Sequence, residues 1–476
     1  MKFTKFIKFI NPLESPDGSS PDRYSLDDKG IGNALADSVK GVLRYVADAK
    51  SWFYYTGVIW RKDHNGLRAR ELAKDYHGFL KTVAKEIKLK PKAMRSNEEY
   101  NFLEIVEDLS KNGVRKKMLD EAMSVHPLNR SDFDVKMNLL NCLNCTINLD
   151  NGNPHEHNPE DFITKVAQVH YDKTVKFPRW DKFISEIMCE EVELERYLKK
   201  SYGYGITGET KEECMFMEHG PSTRNGKGTL KESTMNVLGD YALNMQPDSL
   251  AKRKRNGGSG ATPDIARNAG VRFVNVNEPD EDMVLDAALI KQLTGSDTIT
   301  ARFLYGNNFD FIPQFKIYVS TNHLPTTTDD TLFSSGRIKV IPFNRHFKES
   351  EQDRTLKSLF RTDECKSAIL NWLLEGLKMY KDEGLIPPAS VQIATSAYRR
   401  TTDTVVLFIE DATQKNASAK EIKTSEVYPL YKEWCAVKKL TPVTAQRFVG
   451  NLRNMGYVKR NAKDGHVVRG LDLNYN

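Results

Sequence analysis

The stretch GPSTRNGKGTL at residues 220–230 sets Gly220, Gly226 and Gly228 around a lysine, Lys227, between an apolar run and a helix-like one. Glycines let successive backbone N–H groups converge on phosphate oxygens, and a lysine reaches the outer two phosphates, so this is the chemistry of a phosphate-cradling loop. The spacing departs from GxxxxGK[ST] twice. The first glycine of that pattern falls on Pro221, which leaves Gly220 displaced by one, and Gly228 stands where a metal-ligating hydroxyl is usual. Thr229 is then the nearest hydroxyl for Mg²⁺. Gly220, Thr223, Asn225, Gly226, Lys227, Gly228 and Thr229 are the expected ATP contacts. Hydrolysis also needs a carboxylate at the end of a neighbouring strand and a polar group at the tip of another, to organise the metal and hold the attacking water. VRFVNVNEPDE supplies Glu278 and FKIYVSTN supplies Asn322. An ordinary Gly/Asn turn would account for the loop alone, but not for two polar strand ends in order behind it.

The elements that must position these residues are legible as short apolar runs bounded by turn residues: CMFMEHG, VRFVNVNEP, FKIYVSTN and IKVIPF read as buried strands of a parallel sheet. TLKESTMNVLG reads as the helix after the loop. TITARFLY and FDFIPQF, around Gly306, Asn307 and Asn308, read as a hairpin. The fold class is thus α/β, with an N-terminal mainly helical part and a small C-terminal unit in which a helix and two strands, joined by a turn at 465–466, suit a winged-helix-like arrangement. The expected division is an arm or linker over 1–30, a helical domain over 31–200, an ATPase core over 201–385 and a DNA-binding domain over 386–476. Within the helical part, GNALADSVKGVLRYVADA and EEYNFLEIVEDLSKNGVRKKMLDEAM show amphipathic helical spacing, and WFYYTGVIW reads as strand. LIPPASVQ reads as a connection.

Composition sets the outer bounds. The 476 residues are 39% hydrophobic and 28% charged with a net charge of +6, and no apolar run approaches the ~20 residues that span a bilayer. Those values exclude a membrane protein, and with no convincing signal peptide at the start they place the chain in the cytoplasm, that of the host if phage-encoded. Six scattered cysteines make no disulfide framework. Cys142 and Cys145, followed by His155 and His157, lack the second ligand pair that zinc requires and read as strand and turn. The basic run at 252–255 reads as a solvated face unless it lines a groove. The aromatics between Trp52 and Trp60 can stack on bases, but packing in a small sheet is the simpler use.

Taken together, GPSTRNGKGTL, ARNAGVRFVNVNEPDE, IKQLTGSDTITARFLY, FKIYVSTNHLP and SSGRIKVIPF resemble the superfamily 3 helicases, in the branch of phage, plasmid and poxvirus primase-helicases. LLNCLNCTINLDNG with HEHNPEDFITKVAQVHYD resembles the helical domain ahead of the motor in that family, and VYPLYKEWC with RFVGNLRNMGY its C-terminal domain. The resemblance implies an AAA+-type core using ATP and Mg²⁺. It implies Lys227 and Thr229 as phosphate and metal contacts, Glu278 as the metal-side carboxylate, Asn322 as the sensor and Arg337 as an arginine finger acting on a neighbouring subunit. Lys291, Thr294, Gly295 and Asp297 match the segment leading into a DNA-contacting hairpin, where Lys291, Arg302, Asn307 and Asn308 are the expected DNA contacts. A finger in trans implies a ring, by resemblance a homo-hexamer around single-stranded DNA, acting on forks.

Three departures accompany the likeness: the irregular loop, a hairpin tip without lysine, and too few residues before position 30 for a primase, so that priming is expected from a separate chain. Two other readings use the same loop. One is a DNA-dependent ATPase that loads or packages DNA without processive unwinding. The other is a nucleotide kinase, whose activity would not respond to single-stranded DNA.

Overall fold

The computed structural model describes residues 4–14, 22–252, 263–303, 308–327, 329–415, 421–438, 440, 442–461, 465–469 and 471–473. Asn307 and the basic residues 253–255 lie outside them. The chain divides into two compact units, Met1–Tyr171 with Leu238–Tyr241, and Asp172–Val237 with Ala242–Asn476. Among the described residues no helix is long and apolar enough to cross a membrane.

The first unit opens with apolar residues interleaved with lysines. Phe6, Ile7, Phe9, Ile10 and Leu13 pack on its core, and the Tyr76 hydroxyl donates to the Ile10 carbonyl at 2.9 Å. These residues, expected in an arm, are part of the domain. A helix over Asp28–Val39 is capped by Asp27, whose side chain accepts from the Gly30 N–H. The helical spacing of GNALADSVKGVLRYVADA does not continue past that helix: Leu43–Val46 is strand β1, paired antiparallel with β2, Ser51–Tyr55, which pairs with β3, Trp60–Lys62. Cross-strand packing of aromatic and β-branched residues outweighs local helical periodicity here. Trp52, Tyr55 and Trp60 are buried, so this aromatic run packs as a sheet.

Helices Leu67–Leu89, Asn97–Asp108 and Asn112–Ala122 follow. The second and third come from one stretch read as continuous. Ser96 and Glu99 form a capping box at the start of the second, and the break at 109–111 precedes Gly113. A second antiparallel sheet holds β4, Leu139–Asn141, β5, Thr146–Asn148, and β6, Pro154–His155. Cys142 and Cys145 flank its turn, buried, with both thiols' pKa pushed up by burial. Among the described residues no cluster of three or more His, Cys, Asp or Glu is arranged to hold a metal.

The second unit is built on a parallel sheet. Its strands are β7, Met215–His219, β8, Ala242–Met245, β9, Phe273–Asn277, then, after a hairpin of β10, Ile299–Arg302, and β11, Asn308–Phe311, β12, Lys316–Thr321, and β13, Ile338–Pro342. The order across the sheet is β13-β7-β12-β9-β8, all parallel. The four runs recognised as strands are β7, β9, β12 and β13. β8 escaped that reading because it is an edge strand, mostly half-exposed, without a continuous apolar run.

Helix Ala389–Thr402 packs on the sheet, with the Thr395 hydroxyl accepting from the Val340 N–H at 3.0 Å and Tyr398 in the sheet's core. The boundary expected at 385 therefore falls inside this core, and a separate apolar cluster begins at Val405. That last part contains helices Thr404–Ala412, Thr424–Val437 and Ala445–Asn454. Its strands are β14, Thr413–Lys415, β15, Ile422–Lys423, β16, Val458–Asn461, β17, Gly465–Val468, and β18, Leu471–Leu473. Gly465 and His466, expected in a turn, are already in β17, paired with Asn461 and Arg460.

Candidate nucleotide-binding site

The loop after β7 is fixed from three sides. The Gly220 N–H donates to the Thr321 carbonyl at 3.2 Å, the Phe343 N–H to the His219 carbonyl at 2.7 Å, and the Phe347 N–H to the Arg224 carbonyl at 3.0 Å. The Asn225 side chain, buried, donates to the Arg345 carbonyl at 2.7 Å and to Ser222 Oγ at 3.3 Å, and His346 Nδ1 lies 2.9 Å from the Thr223 carbonyl. Ser222 and the segment 345–347 were not foreseen. Ser222 lies within the loop itself, and the only sequence signal for 345–347 is position, shortly after the β13 run.

Two glycines are obligatory. Gly226 has φ +82°, and a Cβ there would stand 2.4 Å from Ile187 Cγ2; a Cβ at Gly220 would meet the Phe343 carbonyl at 2.7 Å. Gly228 differs, with no neighbouring atom within 4 Å of a Cβ. The helix Lys227–Leu238 starts from this glycine-constrained loop.

Lys227 Nζ donates to Asn322 Oδ1 at 2.8 Å, to the Thr321 carbonyl at 3.2 Å and to Asn225 Oδ1 at 3.2 Å. All three acceptors are neutral. Burial lowers the lysine pKa, and the carboxylates of Glu218 and Glu278 oppose that shift. A phosphate would offer this ammonium a stronger, charge-assisted partner. The sheet order explains the meeting of Lys227 and Asn322. β12 lies between β7 and β9, so its tip stands between the loop and the end of β9.

Glu278 follows β9, exposed, with its N–H donating to the Ser320 carbonyl at 2.8 Å. Its φ is +44°, in the left-handed region uncommon for a glutamate. Thr229 is half-buried and lines a cavity of about 490 Å³ with Gly226, Arg224, Phe183, Arg345 and Phe347. Glu278 is not among the residues that line it.

Beneath the loop sits a charged group that sequence reasoning missed. Glu218 of β7 and Lys231, one turn into the following helix, form an ion pair. Glu218 also accepts from the Tyr202 hydroxyl at 2.7 Å and from Ser320 Oγ at 3.1 Å. Burial brings the Lys231 pKa down to about 8, with Glu218 opposing. The pair joins the residues on either side of the loop to the strand that carries Asn322.

The remaining expected residues gather elsewhere. Arg337 precedes β13, whose register runs from Ile338 beside Met215 to Pro342 beside His219. It is therefore a full five-residue strand, ~17 Å, from the loop end of the sheet. There its guanidinium pairs with Glu213 at 2.7 Å and donates to Thr294 Oγ1 at 2.8 Å and to the Lys291 carbonyl at 3.4 Å. Lys291 Nζ pairs with Asp329 at 3.0 Å. Asp297 is exposed. Arg302 ends β10 opposite Asn308 of β11, and the exposed Phe303 stacks on Phe309 at 5.6 Å.

Comparison with known proteins adds a second line. Residues 32–189 match the family described as D5 N terminal like. A protein of Acanthamoeba polyphaga mimivirus named "Putative helicase L207/L206" is 29% identical over 369 residues, covering 72% of this chain and 38% of that protein. The chain resembles viral and phage primase-helicases of the superfamily 3 type. A Frog virus 3 (isolate Goorha) protein, "Putative helicase 022R", is 29% identical over 226 residues, 44% of this chain and 23% of that one. The chain thus spans well under half the length of these relatives. The solved apo structure of the NrS-1 C terminal region (305-718) aligns over 94% of this chain and 99% of its own, with a TM-score of 0.48 and 11% identity.

Proposed function

We propose that the chain is the motor part of an ATP-dependent replicative DNA helicase of a phage or other mobile element, working with Mg²⁺ as a homo-hexameric ring on single-stranded and forked DNA. The observation that carries this reading is the 2.8 Å bond between Lys227 and Asn322, made by a strand interposed between the loop and Glu278. When bound, ATP with Mg²⁺ supplies the phosphoanhydride and the charge to be neutralised. Gly220, Asn225 and Gly226 would shape the cradle, Lys227 would hold the outer phosphates, and Thr229 and Glu278 would hold the metal. Asn322 orients the attacking water, and Glu278 accepts hydrogen bonds that polarise it.

The position of Arg337 supports a role in trans. It cannot reach its own loop from the far end of β13, whereas a neighbour in a ring can present it there. A nucleotide kinase needs neither this arginine nor the β10–β11 hairpin. The division of the chain enters this proposal in three parts: a first domain that takes in the N-terminal residues expected as an arm, an ATPase core that starts at about residue 172 and not 201, and a DNA-binding end that starts at about residue 403 and not 386. The arrangement of helices Thr404–Ala412, Thr424–Val437 and Ala445–Asn454 with the antiparallel β15-β17-β16 sheet supports a winged-helix-like end.

The test is unwinding of a forked duplex with ATP by the wild-type chain and by Lys227→Ala. ATP-dependent strand separation lost in the variant is the expected result. ATPase activity stimulated by single strands without unwinding would point to a loading or packaging motor. Phosphoryl transfer to a nucleotide, indifferent to DNA, would overturn the reading.

A further inference from the structure

The first unit holds a cleft of about 440 Å³ that no part of the proposed ATPase uses. Its floor is aromatic: Trp52 is buried and Tyr45, half-buried, meets it edge-on at 5.4 Å. Around that floor stand Lys50, Lys62, Arg70 and Lys116, all exposed, against a single carboxylate, Asp120. Other lysines of this unit have carboxylate partners, among them Lys74 with Glu71, Lys90 with Glu99 and Lys136 with Asp161. Among the described residues none of the four cleft cations has one. The rim is also preset by its backbone, since Lys50, Asn65 and Gly66 hold φ of +46°, +58° and +65°.

A concave site that gathers four unneutralised cations over an aromatic floor takes a polyanion with flat, stackable groups. The volume suits one or two nucleotides. We propose that this cleft binds a segment of single-stranded nucleic acid, its phosphates between Lys62, Arg70 and Lys116 and a base against Tyr45. An acidic peptide would satisfy the charges but leave the aromatic floor unused. The inference rests on the helicase reading only for the choice of nucleic acid over another polyanion, and it adds a strand contact away from the β10–β11 hairpin.

The experiment uses the full chain and an oligothymidylate carrying photoreactive thiothymidine, with cross-linked peptides mapped by mass spectrometry and affinity measured across a salt series. The expected result is cross-linking within residues 45–70. In Lys62→Glu/Lys116→Glu these cross-links vanish, affinity falls about tenfold or more, and the log–log salt slope becomes shallower by about 1.4, for two phosphate contacts at ~0.7 each. Tyr45→Ala weakens binding about fivefold or more through lost stacking. Basal ATP hydrolysis stays unchanged in each variant. Cross-links confined to residues outside the first unit, with an unchanged salt slope, overturn the proposal. So does displacement of the strand by polyglutamate as effective as by oligothymidylate, or by dTMP at equal nucleotide concentration. A chain that fails to unwind DNA while keeping these cross-links defeats the helicase reading and leaves this one standing.

Discussion

Lys231 Nζ lies 3.0 Å from Glu218 Oε1 with neither side chain more than 3% exposed, directly beneath the candidate phosphate loop. A pair so buried loses far more when one partner is removed than when both are replaced by apolar residues. Glu218→Leu or Lys231→Met alone is expected to destabilise the chain by about 3–5 kcal/mol, and the double Glu218→Leu/Lys231→Met by clearly less. Denaturant titration of the four proteins measures the coupling. Additive losses would remove the pair from the account of the loop's rigidity.

The two kinds of glycine in the loop separate by substitution. Gly226→Ala forces a Cβ to 2.4 Å from Ile187 at a positive φ, and is expected to destabilise by more than about 1 kcal/mol and abolish nucleotide binding. Gly228→Ser meets open space within a helix, gains about 0.5 kcal/mol of helix propensity and keeps binding. Equilibrium binding of a fluorescent ATP analogue, with melting curves, checks both.

At Glu278 stability and activity are expected to part. Glu278→Gly relieves the left-handed glutamate and leaves stability unchanged or raised by up to ~1 kcal/mol, while hydrolysis drops by about 10² or more. Steady-state ATPase beside thermal melting tests this, and wild-type turnover in the variant would end the assignment.

Arg337→Ala is expected to bind ATP but hydrolyse it about 10³-fold more slowly, by comparison with other arginine fingers. Mixed with Lys227→Ala chains it regains activity, because mixed rings pair an intact loop with an intact arginine. Mixed assemblies that demonstrably form and yet stay inactive would leave Arg337 with its partners Glu213 and Thr294 and no role in catalysis.

Asp329 gives a pH dependence. Burial raises its pKa, but hydrogen bonds from Thr331 and Lys291 outweigh that and bring it from 3.8 down to about 2. A carboxylate depressed in the folded state contributes stability above its unfolded pKa and loses it as pH falls through the folded one. Unfolding free energy is therefore expected to decline between about pH 4 and pH 2 more steeply in the wild type than in Asp329→Asn. Parallel profiles would contradict it.

The sequence was most informative where chemistry and periodicity coincide. Three of the four apolar runs lead into Gly220, Glu278 and Asn322, at the C-terminal ends of parallel strands, whereas the order of those strands, which brings Lys227 to Asn322, was not in the sequence pattern. It was least informative where tertiary pairing decides. Leu43–Val46 has helical spacing yet joins β2, and β8 is an edge strand without an apolar run to announce it. Glu218 was invisible for another reason. A glutamate inside an apolar strand looks like an exposed position until the lysine, tyrosine and serine that satisfy it are known to converge.

The order β13-β7-β12-β9-β8 also bears on how the chain is made. β7 is the first of the five strands to leave a ribosome, yet both its neighbours are the last two. Until residue 321 has emerged the strand that carries the phosphate loop has neither edge paired, and until residue 342 one edge stays open, so its apolar face and free N–H and C=O groups are available to other chains. Lys227 can find Asn322 only after β8, β9 and the β10–β11 hairpin have been made. Slow, non-local closure of that kind makes the second unit the part of the molecule most in need of protection from aggregation during synthesis.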